Sequence, residues 1–276
     1  SNMAETRTKN SPPIRFLLSW IESNCGFDYA DGRLSRLESL VQRRVNTLGL
    51  GSLDAYLPLI MNDQAEQMRF IDLLTVNETY FYRDAEQLTA LADALSSAVS
   101  GACEGRGRKI RIWSAGCSVG CEPYTMAILL KRLVDQGVLS VEIVGTDISQ
   151  SCISVARSGL YTEREVKMVP ADLLDACFVR DGGYYAIARN IKNLVTFHLS
   201  NLLSADEIRS LGKFDAILCR NVLMYFTDET RIRVLKTLYE RLNPGGAIIV
   251  SRVEANLLST LPLREARFRG ERVHVR

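Results

Sequence analysis

The stretch "AGCSVGCEPYT", residues 115–125, lies between the apolar run "KIRIWS" and a segment whose apolar residues recur at helical spacing. Glycines, cysteines, a glutamate and a proline in that position describe a tight strand-to-helix turn. In open α/β sheets, ligands bind beyond the carboxyl ends of the strands. There glycine lets a backbone approach closely and a helix N-terminus presents N–H groups. The glycines stand as Gly116-x-x-x-Gly120 with no lysine after them. Neither the G-x-G-x-x-G dinucleotide fingerprint nor the G-x-x-x-x-G-K-[ST] phosphate loop is therefore present. A turn with no ligand has the same composition, so the ends of the other strands decide between the two readings.

Downstream, the short apolar runs "VEIVGTDI", "LVTFHLSN", "FDAILCRN", "AIIVSR" and "RVHVR" alternate with amphipathic segments. That alternation predicts βαβ units and a doubly wound, mostly parallel sheet over residues 109–276. "GTDIS" puts Asp147 about one βαβ unit after the glycines. A carboxylate there can accept both ribose hydroxyls of a nucleoside; it can equally cap the helix that starts near Ser149. "LSNLLS" brings Asn201 and Leu202 to the end of the third strand. The asparagine can meet a base edge or serve plain turn chemistry. "LCRNVLMYF" places Arg220, Asn221 and Tyr225 at the end of the fourth, polar groups inside an apolar run at the ligand-facing edge.

Residues 14–95 follow a different period. Leu34, Leu37, Leu40, Val41, Val45 and Leu48 fall at helical spacing, with turn signals at Asp31-Gly32 and at residues 49–51, which predicts a bundle of short helices. "SSAVSGACEGRGR", residues 96–108, has the composition of a linker. The 35 residues between "ARSG" and "VTFHLSN" are too many for a simple helix-to-strand connection. Within them "CFVRDGGYYAIA" predicts a β-hairpin turning at Asp181-Gly182-Gly183, an insertion at about residues 170–193.

Composition limits the function classes. Thirty-four basic against 32 acidic residues leave a net charge near +2, so no global field argues for nucleic acid or an anionic membrane. No apolar run approaches the roughly 20 residues that span a bilayer, and "SNMAETRTKNSPP" contains no apolar signal core, so a cytoplasmic location is expected. Seven scattered cysteines form no disulfide framework and read as small core residues, as Trp20 and Trp113 do. Cys117 and Cys121 lack histidines at metal-site spacing, so no metal is expected.

Together, "TVNETYFYRD" (residues 75–84), "WSAGCSVGCEPYT", "GTDIS", "ARSGLYTERE", "NLLS" and "FDAILCRNVLMYF" resemble the successive motifs of the CheR-type chemotaxis receptor glutamate methyltransferases, a class I S-adenosylmethionine-dependent family. The resemblance extends from about residue 14 to the last strand. It implies an all-α N-terminal domain followed by an α/β domain with a small antiparallel β insertion. It also implies S-adenosylmethionine as methyl donor and S-adenosylhomocysteine as product. On this resemblance Asn77, Thr79 and Arg83 contribute to the cofactor and active site, with Gly116 in the cofactor loop and Glu122 at the methionine portion. Asp147 meets the ribose, Asn201 and Leu202 the adenosine, and Arg220, Asn221 and Tyr225 line the site near the sulfonium. Two departures stand out: Cys121 replaces the first of the family's two glutamates before the proline, and Arg252-Val253-Glu254 replaces a His-Ser-Glu segment.

The chemistry needs no base. A glutamate carboxylate has an unperturbed pKa of about 4.3 and is already ionised at neutral pH, so positioning is the main task. Arg83 is the candidate to hold the acceptor carboxylate, against the alternative of a surface salt bridge. Tyr225 is either a cation–π partner for the sulfonium or a core tyrosine. Arg33, Arg36, Arg43 and Arg44 mark one helix, read as a solvated face or, on the resemblance, as the surface that docks on acidic receptor helices. The hairpin connection is short, and with it the resemblance predicts no tether to a C-terminal receptor pentapeptide. A monomer is expected, with neither nucleic acid nor membrane insertion. A cofactor-binding regulatory module without transferase activity, and a methyltransferase for small carboxylic acids, are the competing readings.

Overall fold

The computed structural model describes residues 11–29, 32–100 and 108–276. Two compact units are distinguished, Ser1–Val76 with Tyr225–Arg231, and Asn77–Met224 with Ile232–Arg276. Asp31 of the first turn signal, Cys103, and residues 101–107 of the expected linker lie outside the described residues.

The first unit contains helices α1 (Pro12–Cys25), α2 (Leu34–Thr47), α3 (Leu53–Asn62) and α4 (Gln64–Leu74). Their boundaries follow from local chemistry. Prolines open α1 and Gly26 closes it at φ 71, Ser52 accepts from the Ala55 N–H to cap α3, and Asp63 accepts from Ala65 and Glu66 to cap α4. The heptad-like run read from the sequence buries Leu34, Leu37, Leu40, Val41 and Val45 on one face of α2, whereas Leu48 lies beyond it and is exposed. Trp20 is half-buried, its ring 5.9 Å from that of Phe70.

One buried ion pair ties these helices together. Arg44 donates from Nε to Glu66 Oε1 at 2.8 Å and from Nη2 to Oε2 at 2.6 Å, and the fully buried Tyr56 hydroxyl donates to Oε1 at 2.8 Å. The Arg44 guanidinium, with the Tyr56 hydroxyl, holds the Glu66 carboxyl below the usual carboxylate range despite burial. Arg44 therefore leaves the docking face expected of the four arginines, while Arg36 and Arg43 are exposed.

The second unit is built on a seven-stranded sheet of order β6-β2-β1-β7-β8-β10-β9. The strands are β1 (Arg108–Ala115), β2 (Leu139–Asp147), β6 (Val195–Leu199), β7 (Phe214–Cys219), β8 (Leu242–Val250), β9 (Arg264–Phe268) and β10 (Glu271–Val275). From β6 to β8 all neighbours are parallel; β10 runs antiparallel to β8 and β9. The chain passes from β1 outward to β2 and β6, then returns to the other side of β1 with β7. Strand order thus reverses at β1 and β7, where a doubly wound sheet opens a crevice at its carboxyl edge. Trp113 on β1 is fully buried, donating to Thr146 Oγ1 at 2.9 Å.

A second sheet of order β3-β5-β4 consists of β3 (Leu160–Tyr161), β4 (Phe178–Asp181) and β5 (Tyr184–Ile187). Its β4–β5 hairpin turns at Gly182 and Gly183, with φ 52 and 91, the left-handed pair that a two-residue loop requires. The third strand, β3, came without a sequence signal, since two residues are too few to show alternation. Helix α5 (Ala85–Ser100) takes in the first five residues, 96–100, of the segment read as a linker; Ser96 bonds the Ala92 carbonyl rather than breaking the helix. Cys25, Cys117, Cys121, Cys152, Cys177 and Cys219 are all buried and unbridged.

Replacing Arg44 by Met is expected to cost about 3 to 5 kcal/mol, because it leaves a buried carboxylate without its partner. Glu66 has a folded-state pKa below its unfolded one, so its contribution is present at neutral pH and lost as pH falls through the folded value. Urea titrations at pH 7 and in mild acid check this: the gap between wild type and the Arg44→Met variant narrows on acidification.

Candidate functional site

The loop after β1 is pinned to the end of β2. Gly116 and Cys117 both donate their N–H to the Thr146 carbonyl, at 2.8 and 2.9 Å. The Asp147 carboxylate accepts from the Ser118 N–H at 2.8 Å and from the Ser149 N–H at 2.9 Å. Gly116, Ser118 and Gly120 adopt left-handed φ of 76, 51 and 89, which folds the loop back over the strand ends. A Cβ on Gly116 would stand 2.4 Å from Val222, so glycine is required there by close approach as well as by φ. Helix α7 (Gln150–Ser158) is capped by Ser149, whose hydroxyl accepts from Cys152 at 3.2 Å, and not by Asp147.

At the start of helix α6 (Cys121–Asp135), Glu122 accepts from the Ser114 hydroxyl at 2.7 Å and pairs with Arg220 Nε at 2.7 Å. The Arg220 side chain is 2% exposed. Its remaining nitrogens donate to Gln87 Oε1 at 3.2 Å and to the carbonyls of Arg83 and Asp84 at 2.8 and 3.4 Å. Strand β7 therefore presents a cation whose fork joins α6, α5 and the 83–84 backbone.

Residues 77–84 pack onto this frame. Tyr82 N–H donates to Thr125 Oγ1 at 3.2 Å and Phe81 N–H to the Glu165 carbonyl at 2.9 Å. The Phe81 ring lies edge-on to Tyr161 and Phe178 at 4.8 and 5.0 Å. Thr79 hydrogen-bonds the Cys121 thiol, and burial raises that thiol's pKa well above its ordinary value. Cys121 is thus a neutral packing group, not a thiolate. Arg83 is half-buried and donates to the Glu78 carbonyl. Tyr82 and Asp84 have φ 63 and 49, and Asn221 has φ 59. With Ser118, four of the five left-handed non-glycine residues among those described lie in these loops, where such conformations persist only if the surroundings hold them.

The other residues singled out in the sequence are placed as follows. Asn201 Oδ1 accepts from Leu203 N–H at 3.0 Å and its own N–H donates to Glu207, forming a turn in which Leu202 is half-buried. Asn77 is exposed. Tyr225 ends the 3-10 turn Leu223–Tyr225, is half-buried, and accepts from Asp28 N–H at 2.8 Å through its carbonyl. Glu254 is buried and accepts from the Met224 N–H at 2.8 Å and from the Ser251 hydroxyl, so the retained glutamate of "RVE" fixes the turn after β7. Ser114 and Gln87 escaped sequence reading. Ser114 stands inside the quoted "WSAGCSVGCEPYT" but carries no signal of its own, Gln87 lies in no quoted motif, and only the positions of Glu122 and Arg220 give them meaning.

The donor set suits one kind of cofactor. Residues 115–125 contain no lysine or arginine, and Asp147 and Glu122 bring carboxylates to this loop and the strand it follows. Phosphates call for cationic partners, whereas a ribose diol beside a cationic sulfonium and ammonium suits carboxylates and a glycine turn. These residues fit S-adenosylmethionine. Among the described residues no helix is long and apolar enough to cross a membrane, and no group of histidine, cysteine and acidic residues is placed to hold a metal ion.

Comparison with known proteins agrees. The family model described as CheR methyltransferase, SAM binding domain, matches residues 77–263, and that of the CheR methyltransferase all-alpha domain matches residues 13–75. Chemotaxis protein methyltransferase 2 of Vibrio cholerae is 36% identical over 192 residues, 69% of this chain and 66% of that protein. Chemotaxis protein methyltransferase 1 of the same organism is 33% identical over 255 residues, 90% of each chain. The chemotaxis protein methyltransferase of Escherichia coli is 30% identical over 258 residues, 91% of this chain and 87% of its own.

The Glu122–Arg220 pair yields a stability prediction. Arg220→Met strands the Glu122 carboxylate and releases the carbonyls of residues 83 and 84, at an expected cost of about 3 to 5 kcal/mol. Chemical denaturation followed by tryptophan fluorescence measures it, and Arg220→Lys should recover less than half, because one ammonium cannot reach all these acceptors.

Proposed function

Because the chain belongs to the CheR methyltransferase family, we propose that it moves the methyl group of S-adenosylmethionine to glutamate side chains on the cytoplasmic helices of a chemoreceptor. S-adenosylhomocysteine is the product. The observation that supports this reading most is the pairing of family matches over residues 13–75 and 77–263 with a carboxylate-lined, lysine-free glycine loop at the strand-order reversal. When bound, S-adenosylmethionine supplies an electrophilic methyl on a sulfonium. The acceptor carboxylate forms the new C–O bond and the C–S bond breaks onto sulfur, so no proton needs moving and no base is required.

The chain's own residues hold and orient. Asp147, fixed by the Ser118 and Ser149 N–H groups, takes the ribose hydroxyls. The Gly116 loop carries the backbone of the cradle, Asn201 and Leu202 bound the adenosine, and Asn77, Thr79 and Asn221 complete the walls. Glu122 and Arg220 shape the methionine end, Arg220 by holding Glu122 and the 83–84 backbone in place rather than by offering its buried guanidinium. Arg83 receives the acceptor carboxylate, and Tyr225 keeps the place near the sulfonium that the family motif assigns. The protein acts in the cytoplasm as a monomer. It docks through Arg33, Arg36 and Arg43, without a pentapeptide tether, and Arg44 serves the helical unit instead.

Transfer of labelled methyl from S-adenosylmethionine to base-labile esters in receptor-containing membranes tests the reading; absence of such label with intact cofactor binding would favour the regulatory module. Asp147→Ala should weaken S-adenosylhomocysteine binding by about 1.5 to 3 kcal/mol in calorimetry, the usual worth of hydrogen bonds to a charged group. Arg83→Ala should lower the methylation rate far more than cofactor affinity. Arg36→Glu with Arg43→Glu should reduce receptor methylation and its salt sensitivity while leaving cofactor affinity unchanged, and added receptor pentapeptide should leave the wild-type rate as it is.

A further inference from the structure

The C-terminal hairpin carries an arrangement that methyl transfer does not use. Of the thirteen residues 264–276, five are arginine and two are glutamate. Strands β9 and β10 join through Arg269-Gly270, both left-handed at φ 52 and 82, a two-residue turn that fixes the register. In that register Arg267 and Arg272 stand directly opposite one another. Like charges in directly opposed positions destabilise a strand pair. Here Glu265 is their shared counter-charge, at 3.3 Å from Arg267 and 4.0 Å from Arg272, and all three side chains are well exposed. Exposed pairs of this kind compensate little.

The two arginines open onto a cleft of about 240 Å³ lined also by Gln87, Val250, Arg252 and His274. Arg252 occupies the position where the sequence departs from the family's His-Ser-Glu pattern. Its guanidinium pairs with Glu271, also on the cleft wall, at 2.7 Å, and stands 3.6 and 3.9 Å from Glu86 and Asp84. Three arginines thus line one concavity over buried Val250 and Ala255; Arg252 is matched by Glu271, Glu86 and Asp84, whereas Arg267 and Arg272 share the single carboxylate of Glu265. Guanidinium forks match phosphate oxygens in pairs, and a dianion between Arg267 and Arg272 converts their repulsion into attraction.

We propose that this cleft binds a phosphate-bearing small molecule, with Arg267 and Arg272 as the clamp and Arg252 as the third cation. Gln87 belongs both to the cleft wall and to the hydrogen bonds of Arg220, so the ligand sits one side chain away from the methyl-transfer frame. The site does not depend on which acceptor is methylated.

Inorganic phosphate and glycerol 3-phosphate, titrated in separate arms at constant ionic strength into the S-adenosylhomocysteine-saturated protein, test the proposal by calorimetry. One saturable site is expected, weakened at least tenfold in Arg267→Gln and in Arg272→Gln. Tighter binding of glycerol 3-phosphate than of phosphate would identify an organic phosphate as the ligand class, and equal binding free phosphate. Both substitutions are at exposed positions, and S-adenosylhomocysteine affinity measured on the same samples separates a failed cleft from a failed cofactor site. Heats no larger than those of added chloride, or binding unchanged in both variants, would overturn it.

Discussion

Arg220 donates to four separate acceptors from a position with almost no solvent contact, and the rest of the candidate site is arranged around that fact. A guanidinium taken out of water is expensive unless each face of its fork is met. Here the partners are a carboxylate on α6, an amide on α5 and two backbone carbonyls of the segment that precedes α5. One residue at the end of β7 thereby fixes Glu122 and the backbone of residues 83 and 84. Breaking the pair unmakes the site's shape before it touches any chemistry.

The same economy of contacts explains the backbone strain. Ser118, Tyr82, Asp84 and Asn221 take left-handed conformations that cost about 1 to 3 kcal/mol each when the residue is not glycine. Three of them are stabilised by what surrounds them: a carboxylate on Ser118 N–H, a threonine hydroxyl on Tyr82 N–H, and the Arg220 fork on the carbonyl of Asp84. The Tyr82 hydroxyl is buried without a hydrogen-bond partner among the described residues, so packing holds that ring while hydrogen bonds hold the backbone beneath it.

Much of this was legible in the sequence because it rests on periodicity and on strand ends. The alternating runs predicted the parallel sheet, the Asp181-Gly182-Gly183 turn predicted the hairpin, and the glycine loop with Asp147 predicted where the crevice would open. What stayed hidden depends on contacts between distant residues. Arg44 carries the same letters as Arg43, yet one step around α2 turns it inward to Glu66, 22 positions away. Arg220 looked like a group facing a ligand, because a sequence does not show that four protein acceptors surround it. The serine- and alanine-rich start of the expected linker is helical because Ala favours helix and Ser96 bonds back to Ala92.

Asp147 has a further consequence. Its carboxylate is oriented by two backbone N–H groups before any ligand arrives, so in the role proposed for it the grip on the ribose requires little reordering. That ribose is the same in the methyl donor and in the demethylated product. Binding of this kind is uniform along the reaction: it lowers the concentration needed for saturation without lowering the barrier to transfer. An enzyme that relies on it holds its spent cofactor nearly as well as its fresh one, and its working rate then follows the ratio of the two in the cell rather than the donor concentration alone.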